Sequence, residues 1–245
     1  MPVLLQIDSL SLTIGEQKIL KEVSFSVEQG EVIGLIGPNG SGKTTLFNVL
    51  SGFLKPTQGT ITFKNENITN LSPSHRAHRG IGRVFQNFGV FREMTLLENV
   101  LVAFEALPKE QRRMLGDIPK LARETLELVG LSEHADKKAG SLSGGQMRLL
   151  EIARTLKSGR DLFLLDEPTA GVSPKMTKQV ADLIAELKRE GKTVLIVEHD
   201  LPFISSICDR VVVLDVGRVV LTGTPKDVKH SKELQEIYFG ADPTD

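Results

Sequence analysis

The residues of this chain best suited to chemistry begin at Gly37. Gly37, Pro38, Asn39, Gly40, Ser41, Gly42, Lys43, Thr44 and Thr45 follow an apolar run, Val32 to Ile36, and fill the pattern G-x-x-x-x-G-K-T ahead of a helix-forming stretch. Glycines let successive backbone N–H groups curl around an anion, and a helix that starts there points its positive end at it. Lys43 adds a point charge for the β- and γ-phosphates of a nucleotide, and Thr44 a hydroxyl for Mg2+. A plain glycine turn would also fit between strand and helix, but the flanking elements favour nucleotide binding. LFLLDEPTAG, Leu162 to Gly171, places Asp166 and Glu167 at the carboxyl end of an apolar strand, where open α/β sheets bind ligands. Asp166 is expected to hold Mg2+ through water, and Glu167 to orient or deprotonate an attacking water. In LSGGQ, Ser143 and Gln146 form a capping box for a helix from Gln146 to Leu156, while Gly144 and Gly145 bare its N-terminus to an anion.

Several elements must position these groups. Residues 3–30 alternate, as at Val23, Phe25 and Val27, and predict antiparallel strands with turns at Gly15-Glu16 and Gln29-Gly30; Thr60 to Phe63 predicts another. Ile81 to Phe85 reads as a strand ending at Gln86. Met94 to Ala106 and Lys120 to Val129 carry helical spacing, and the polar stretch Pro108 to Pro119 between them reads as a solvated loop. Strand character returns in Leu162 to Leu165, Val194 to Val197 and Val211 to Leu214. One helix lies among them, with Ser173 as N-cap, Pro174 in its first turn, apolar Met176, Val180, Leu183, Ile184 and Leu187, and Gly191 as its stop. Continuous apolar strands alternating with helices imply a parallel sheet covered on both faces.

Composition bounds the rest. The 245 residues are 40% hydrophobic, and 30 Lys and Arg against 31 Asp and Glu leave a net charge of −1, which favours neither nucleic acid nor an anionic membrane surface as partner. Cys208 stands alone, so no internal disulfide forms and a reducing compartment suits the chain. The first residues lack the features of a signal peptide, and no apolar run approaches the ~18 residues that cross a bilayer. In a membrane process, other subunits would do the spanning.

Taken in order, GPNGSGKTT, Gln86, LSGGQ, LFLLDE and His199 resemble the ATP-binding subunit of an ABC transporter over essentially the whole chain. The resemblance implies an α/β fold: a P-loop NTPase (RecA-like) core with a small antiparallel β layer and an inserted α-helical sub-domain. Residues 1–86 would form the first part of the core with the β layer, 87–159 the helical unit, and 160–245 the second part with a C-terminal tail. It implies ATP and Mg2+ as cofactors, Glu167, His199, Gln86 and Lys43 as catalytic residues, and Thr44, Gln86 and Asp166 around the metal. Gln86 would link the γ-phosphate and lytic water to the helical unit, and His199 would contact the γ-phosphate from the opposite side. The family pairs two protomers head to tail, so Ser143, Gly144, Gly145 and Gln146 would close on ATP held by the partner.

SGFLKPTQGTI, VFQNFGVFREMTLLENVLVA, AGSLSGGQMRLLEIAR, DEPTAGVSP and EIYFG are similar to ATPases of importers for branched-chain and other hydrophobic amino acids, although importers of urea or short amides share much of this. The implied partners are integral-membrane permease subunits at the cytoplasmic face of the membrane, a second ATPase subunit (self or paralogue) and, indirectly, a solute-binding protein. Phe88, Val90, Phe91 and Met94 mark either a partner-facing surface or the core of the helical unit. Two departures stand out. Ile14 occupies the place where the family usually stacks an aromatic on adenine, which implies looser base discrimination. Ser173 stands where relatives carry Asp or Asn, and its role as N-cap suffices for it. A soluble ABC-type ATPase would carry two cassettes or a long coiled coil, a GTPase would carry N-K-x-D, and an exporter subunit shares the same motifs.

Overall fold

Alternating apolar residues in the first thirty positions build one hairpin. In the computed structural model, which describes residues 2–84, 89–105, 107–156, 159–232, 234 and 237, β1 (Val3–Ile14) and β2 (Gln17–Glu28) pair antiparallel across the Gly15-Glu16 turn. β3 (Val32–Ile36) is buried at every position and feeds the glycine-rich loop that opens α1 (Lys43–Leu50). β4 (Gln58–Phe63) and β5 (Glu66–Asn67) complete a four-stranded antiparallel layer in the order β2-β1-β4-β5. Next, α2 (Pro73–Arg79), capped by the Ser72 side chain, ends at left-handed Gly80 and leads into β6 (Ile81–Val84).

Four helices follow: α3 (Leu96–Glu105), α4 (Lys109–Leu115), α5 (Ile118–Leu128) and α6 (Gly144–Leu156). The stretch Pro108 to Pro119 is therefore not a loop throughout. Lys109–Leu115 is helical between Pro108 at its N-cap and Gly116 at its C-cap, and none of its residues is buried. Its Lys, Glu, Gln, Arg, Met and Leu residues favour helix, so polarity here reported exposure and not irregular backbone.

The chain closes with β7 (Leu162–Asp166), α7 (Pro174–Arg189), β8 (Thr193–Val197), α8 (Leu201–Ile207), β9 (Arg210–Asp215), β10 (Arg218–Gly223) and α9 (Pro225–Lys229). The Ser173 hydroxyl caps α7 by accepting from the Met176 N–H, as its position before Pro174 predicts. The second sheet runs β10-β9-β3-β8-β7-β6; five strands are parallel, and β10 adds an antiparallel edge that the sequence pattern had not signalled.

The helix α1 lies between the sheets. Its Leu46, Phe47, Val49 and Leu50 pack with Ile7, Val23 and Phe25 of the hairpin and Ile33, Leu195 and Val197 of the parallel sheet. On the opposite face, Phe104, Leu126, Leu149, Ile152, Val180 and Leu183 cover Phe163, Leu165 and Val194. Each such side chain contributes about 1.5–3 kcal/mol by leaving water. The sheet is thus clamped from both sides, and its register brings three strand ends together, since Leu35 and Asp166 both pair with Val197. A buried arginine closes the far end of α1: Arg76 donates to the carbonyls of Val49 (2.7 Å), Leu50 (2.8 Å), Thr69 (2.8 Å) and Leu71 (3.2 Å). Its burial without a carboxylate partner lowers its pKa to about 10.

Candidate nucleotide-binding and hydrolysis site

The loop after β3 owes its path to glycine. Gly37 has φ +151°, and a Cβ there would sit 1.9 Å from the Leu214 carbonyl oxygen, so no other residue fits without moving β9. Gly42, at φ 107°, is the N-cap of α1 and provides no side-chain cap, which leaves the first helical N–H groups for another acceptor. Lys43 is 6% exposed, and its Nζ donates to the carbonyls of Gly37 (2.7 Å) and Pro38 (2.9 Å). Burial holds its pKa below the ordinary lysine value, although the charges of Glu167 and Asp166 oppose the shift. Asn39, Gly40 and Thr44 are exposed, Pro38 and Thr45 half-buried. The Ser41 hydroxyl is buried with no hydrogen-bond partner among the described residues.

Asp166 ends β7 and is 1% exposed. Its Oδ2 accepts from Arg83 at 3.0 Å, while Oδ1 is buried without a hydrogen-bond partner among the described residues. Burial raises its pKa, and the Glu167 charge adds to this, while Arg83 and Arg148 pull the other way. Burial likewise lowers that of Arg83. Desolvation therefore outweighs attraction on both sides of the pair, and the carboxylate is poised to gain from a further cation. Arg83 also donates to Asn48 Oδ1 (2.7 Å) and Ser51 Oγ (3.0 Å), tying β6 to the end of α1.

Glu167 adopts φ 49°, and its Oε1 lies 2.9 Å from Nε2 of His199, which follows β8. Lys43, Asp166, Glu167 and His199 are thereby gathered at the carboxyl edge of the parallel sheet. Elsewhere, the Ser143 hydroxyl accepts from the Gln146 N–H (3.3 Å), and Gln146 Oε1 accepts from the Ser143 N–H (3.0 Å), a reciprocal capping box. Ser143 and Gly144 are exposed; Gly145 faces α7, where an added Cβ would lie 2.3 Å from Met176 Sδ. Ile14, 52% exposed, stands beside the hairpin turn. Gln86 and Phe88 lie outside the described residues.

The family description "ABC transporter" matches residues 20–170. The chain belongs to the ABC transporter family. It is 39% identical over 97% of its length, and 98% of the relative's, to the high-affinity branched-chain amino acid transport ATP-binding protein LivG of Salmonella typhimurium. Among solved structures it is similar to the ATP-binding cassette MJ1267 in its ADP conformation, with a TM-score of 0.86, 37% identity, and 98% of this chain and 100% of that chain covered. It also matches the dimeric post-hydrolysis state of the cassette MJ0796 bound to ADP and Pi, with a TM-score of 0.78, 29% identity, and coverage of 90% and 98%.

This ABC-family ATPase binds nucleotide and couples its hydrolysis to transport. Among its described residues no helix is long and apolar enough to cross a membrane. Three of its ordering residues escaped sequence reading. Arg83 shows there as a charge in an otherwise apolar strand, and Glu198 as an acid beside His199; both are usable signals. Arg76, inside the basic run HRAHR, gives none.

Proposed function

We propose that this chain is the ATP-hydrolysing subunit of an importer for branched-chain or other hydrophobic amino acids, peripheral on the cytoplasmic face of the membrane. The observation that carries the catalytic part is the convergence of Lys43, Asp166 and the Glu167–His199 pair on one sheet edge. ATP lays its phosphates against the N–H groups of residues 39–45, and Lys43 exchanges the Gly37 and Pro38 carbonyls for them. Asp166 Oδ1, without a hydrogen-bond partner among the described residues, suits Mg2+, which Thr44 and Gln86 would hold with it. When bound, the ion neutralises charge on the β- and γ-phosphates. Glu167 orients the attacking water and takes its proton, and His199, protonated on Nε2, fixes the Glu167 oxygen and lies near the γ-phosphate.

Ser143 and Gly145, at the bare N-terminus of α6, act on ATP held by a second ATPase subunit. ATP binding closes this head-to-tail dimer and hydrolysis reopens it. Residues 87–159 form the unit that passes the motion to the permease. Val90 packs on the core, while Phe91 (48% exposed) and Met94 (38%) remain outside. Phe91 lines a groove of about 440 Å3 with Phe53, Arg83, Val102 and Arg154. Apolar walls and the Arg154 guanidinium suit a permease helix that carries an acidic residue.

Uptake tests the solute. Deletion of this subunit from its host should abolish import of labelled leucine, isoleucine and valine and leave urea uptake intact; the reverse pattern assigns it to a urea or amide importer. Phe91→Ala with Met94→Ala should lose co-purification with the permease while retaining ATP binding, and unchanged co-purification removes the docking surface.

A further inference from the structure

We infer that Glu198 is a positioning residue for the Glu167–His199 pair. The inference rests on the roles proposed above for those two residues. Glu198 follows the last residue of β8 and is only 4% exposed, yet its carboxylate spans two catalytic segments. Oε1 accepts from the Thr169 N–H (2.8 Å) and the Thr169 hydroxyl (2.5 Å), and Oε2 accepts from the His199 N–H (3.1 Å). Thr169 lies two residues after Glu167, so a closed circuit runs from Glu198 through Thr169 to Glu167, across the 2.9 Å contact to His199, and back.

Two features set this apart from an ordinary strand end. The strand end is already satisfied, because the Glu167 N–H donates to the Val197 carbonyl at 2.9 Å. A buried carboxylate is also an expensive way to bind two backbone N–H groups, since a small hydroxyl residue could cap one without desolvating a charge. What the carboxylate adds is reach across the gap between the exits of β7 and β8. Glu167 itself stands at φ 49°, sparsely populated for a residue with a side chain, and the turn that holds it there closes through Ala170 N–H to the Glu167 carbonyl (3.1 Å). Glu198 anchors that turn from outside.

Glu198→Gln is the informative variant, since it keeps the shape and replaces one acceptor oxygen with an amide donor. Whichever way the amide faces, either Thr169 or His199 loses its anchor. In the full chain, kcat for ATP should fall by about ten- to a hundredfold, the loss expected when a catalytic group is misplaced by an ångström or less. The ATP KM and affinity should stay within about twofold, because the phosphate loop is untouched. His199 ring resonances, which need no turnover, should move in Glu198→Gln in the same direction as in Glu167→Gln. Unmoved resonances or an unchanged kcat overturns the inference. If Glu167→Gln itself hydrolyses ATP normally, the catalytic assignment fails instead.

Discussion

Asp166 and Arg83 are a buried ion pair in which each partner is pushed toward neutrality, so removing one is costlier than the pair's net worth suggests. Arg83→Met should lower unfolding stability by about 3–5 kcal/mol, read by urea denaturation, because the carboxylate stays buried without its cation. A loss below about 1 kcal/mol would mean that Asn48 and Ser51, not Asp166, define the role of Arg83. Glu167→Gln tests chemistry and not packing: kcat should fall by about 10²–10⁴-fold while ATP affinity is retained, as measured by nucleotide titration. Ile14 bears on base choice. Stacking on an aromatic is worth about 1–3 kcal/mol, and with isoleucine in its place kcat/KM for ATP should exceed that for GTP by less than about a hundredfold. The phosphate loop and the acidic pair share one property, a fixed spacing within a single strand exit. Arg83 and Glu198 stand out in the sequence as charges at apolar strands, but their roles were not legible because their partners arrive from elsewhere in the chain, Asp166 lying 83 positions from Arg83 and Thr169 lying 29 from Glu198.

At the level of elements, β3, β7 and β8 were plain from their continuous apolar runs, and α7 from its cap and apolar face. Among the elements that escaped, β10 alternates between half-buried and exposed and α4 buries no residue at all, while α2, α8 and α9, at five to seven residues, are too short to show a helical period, so a second helix, α8, lies among the later strands where the sequence marked only α7. The N-terminus of α6 allows function to be separated from folding. Ser143→Asp keeps an equally good N-cap, so stability should stay within about 0.5 kcal/mol. Yet hydrolysis should drop by at least about tenfold, because a carboxylate would face phosphate in the closed dimer. Ser143→Ala should show the opposite balance at the level of the helix, losing about 1 kcal/mol of stability. The start of β7 carries a pH dependence. Burial raises the Asp161 pKa, but Lys64 at 2.5 Å and Lys192 at 3.2 Å outweigh it and hold the group below its ordinary value of 3.8. A depressed carboxylate pKa stabilises the fold above the unfolded-state value and loses that contribution as pH falls through the folded one. The cluster is about half exposed, so Asp161→Asn should cost on the order of 0.5–1 kcal/mol at pH 7, and the difference should fade as pH falls below the ordinary value of 3.8 and through the folded-state one.

On the function proposed above, the whole molecule holds two half-sites that do not belong to each other. Gly145 packs toward Met176 and Val172 of its own chain, and Ser143 and Gln146 satisfy one another, which leaves an exposed helix N-terminus turned to solvent. At the phosphate loop, the N-terminus of α1 has no side-chain cap either. A second copy or a paralogue, rotated head to tail, would bring each half-site onto the other, with ATP as the shared surface. Composition is in keeping with such an interface, since a net charge of −1 raises little repulsion between copies. Glu167→Gln, which should trap ATP, makes the assembly measurable. Its light-scattering mass should be 26.9 kDa without nucleotide and twice that with ATP and Mg2+. Addition of Ser143→Asp to the same chain should return the monomer mass while ATP still binds, because the loop is intact and only the closing half-site is spoiled. A Glu167→Gln chain that binds ATP and remains a monomer would assign the second half-site to a paralogous subunit, and mixing with that subunit should then restore the doubled mass. A mass that doubles without nucleotide would place the interface away from the phosphate loop and remove the trans role of Ser143 and Gly145.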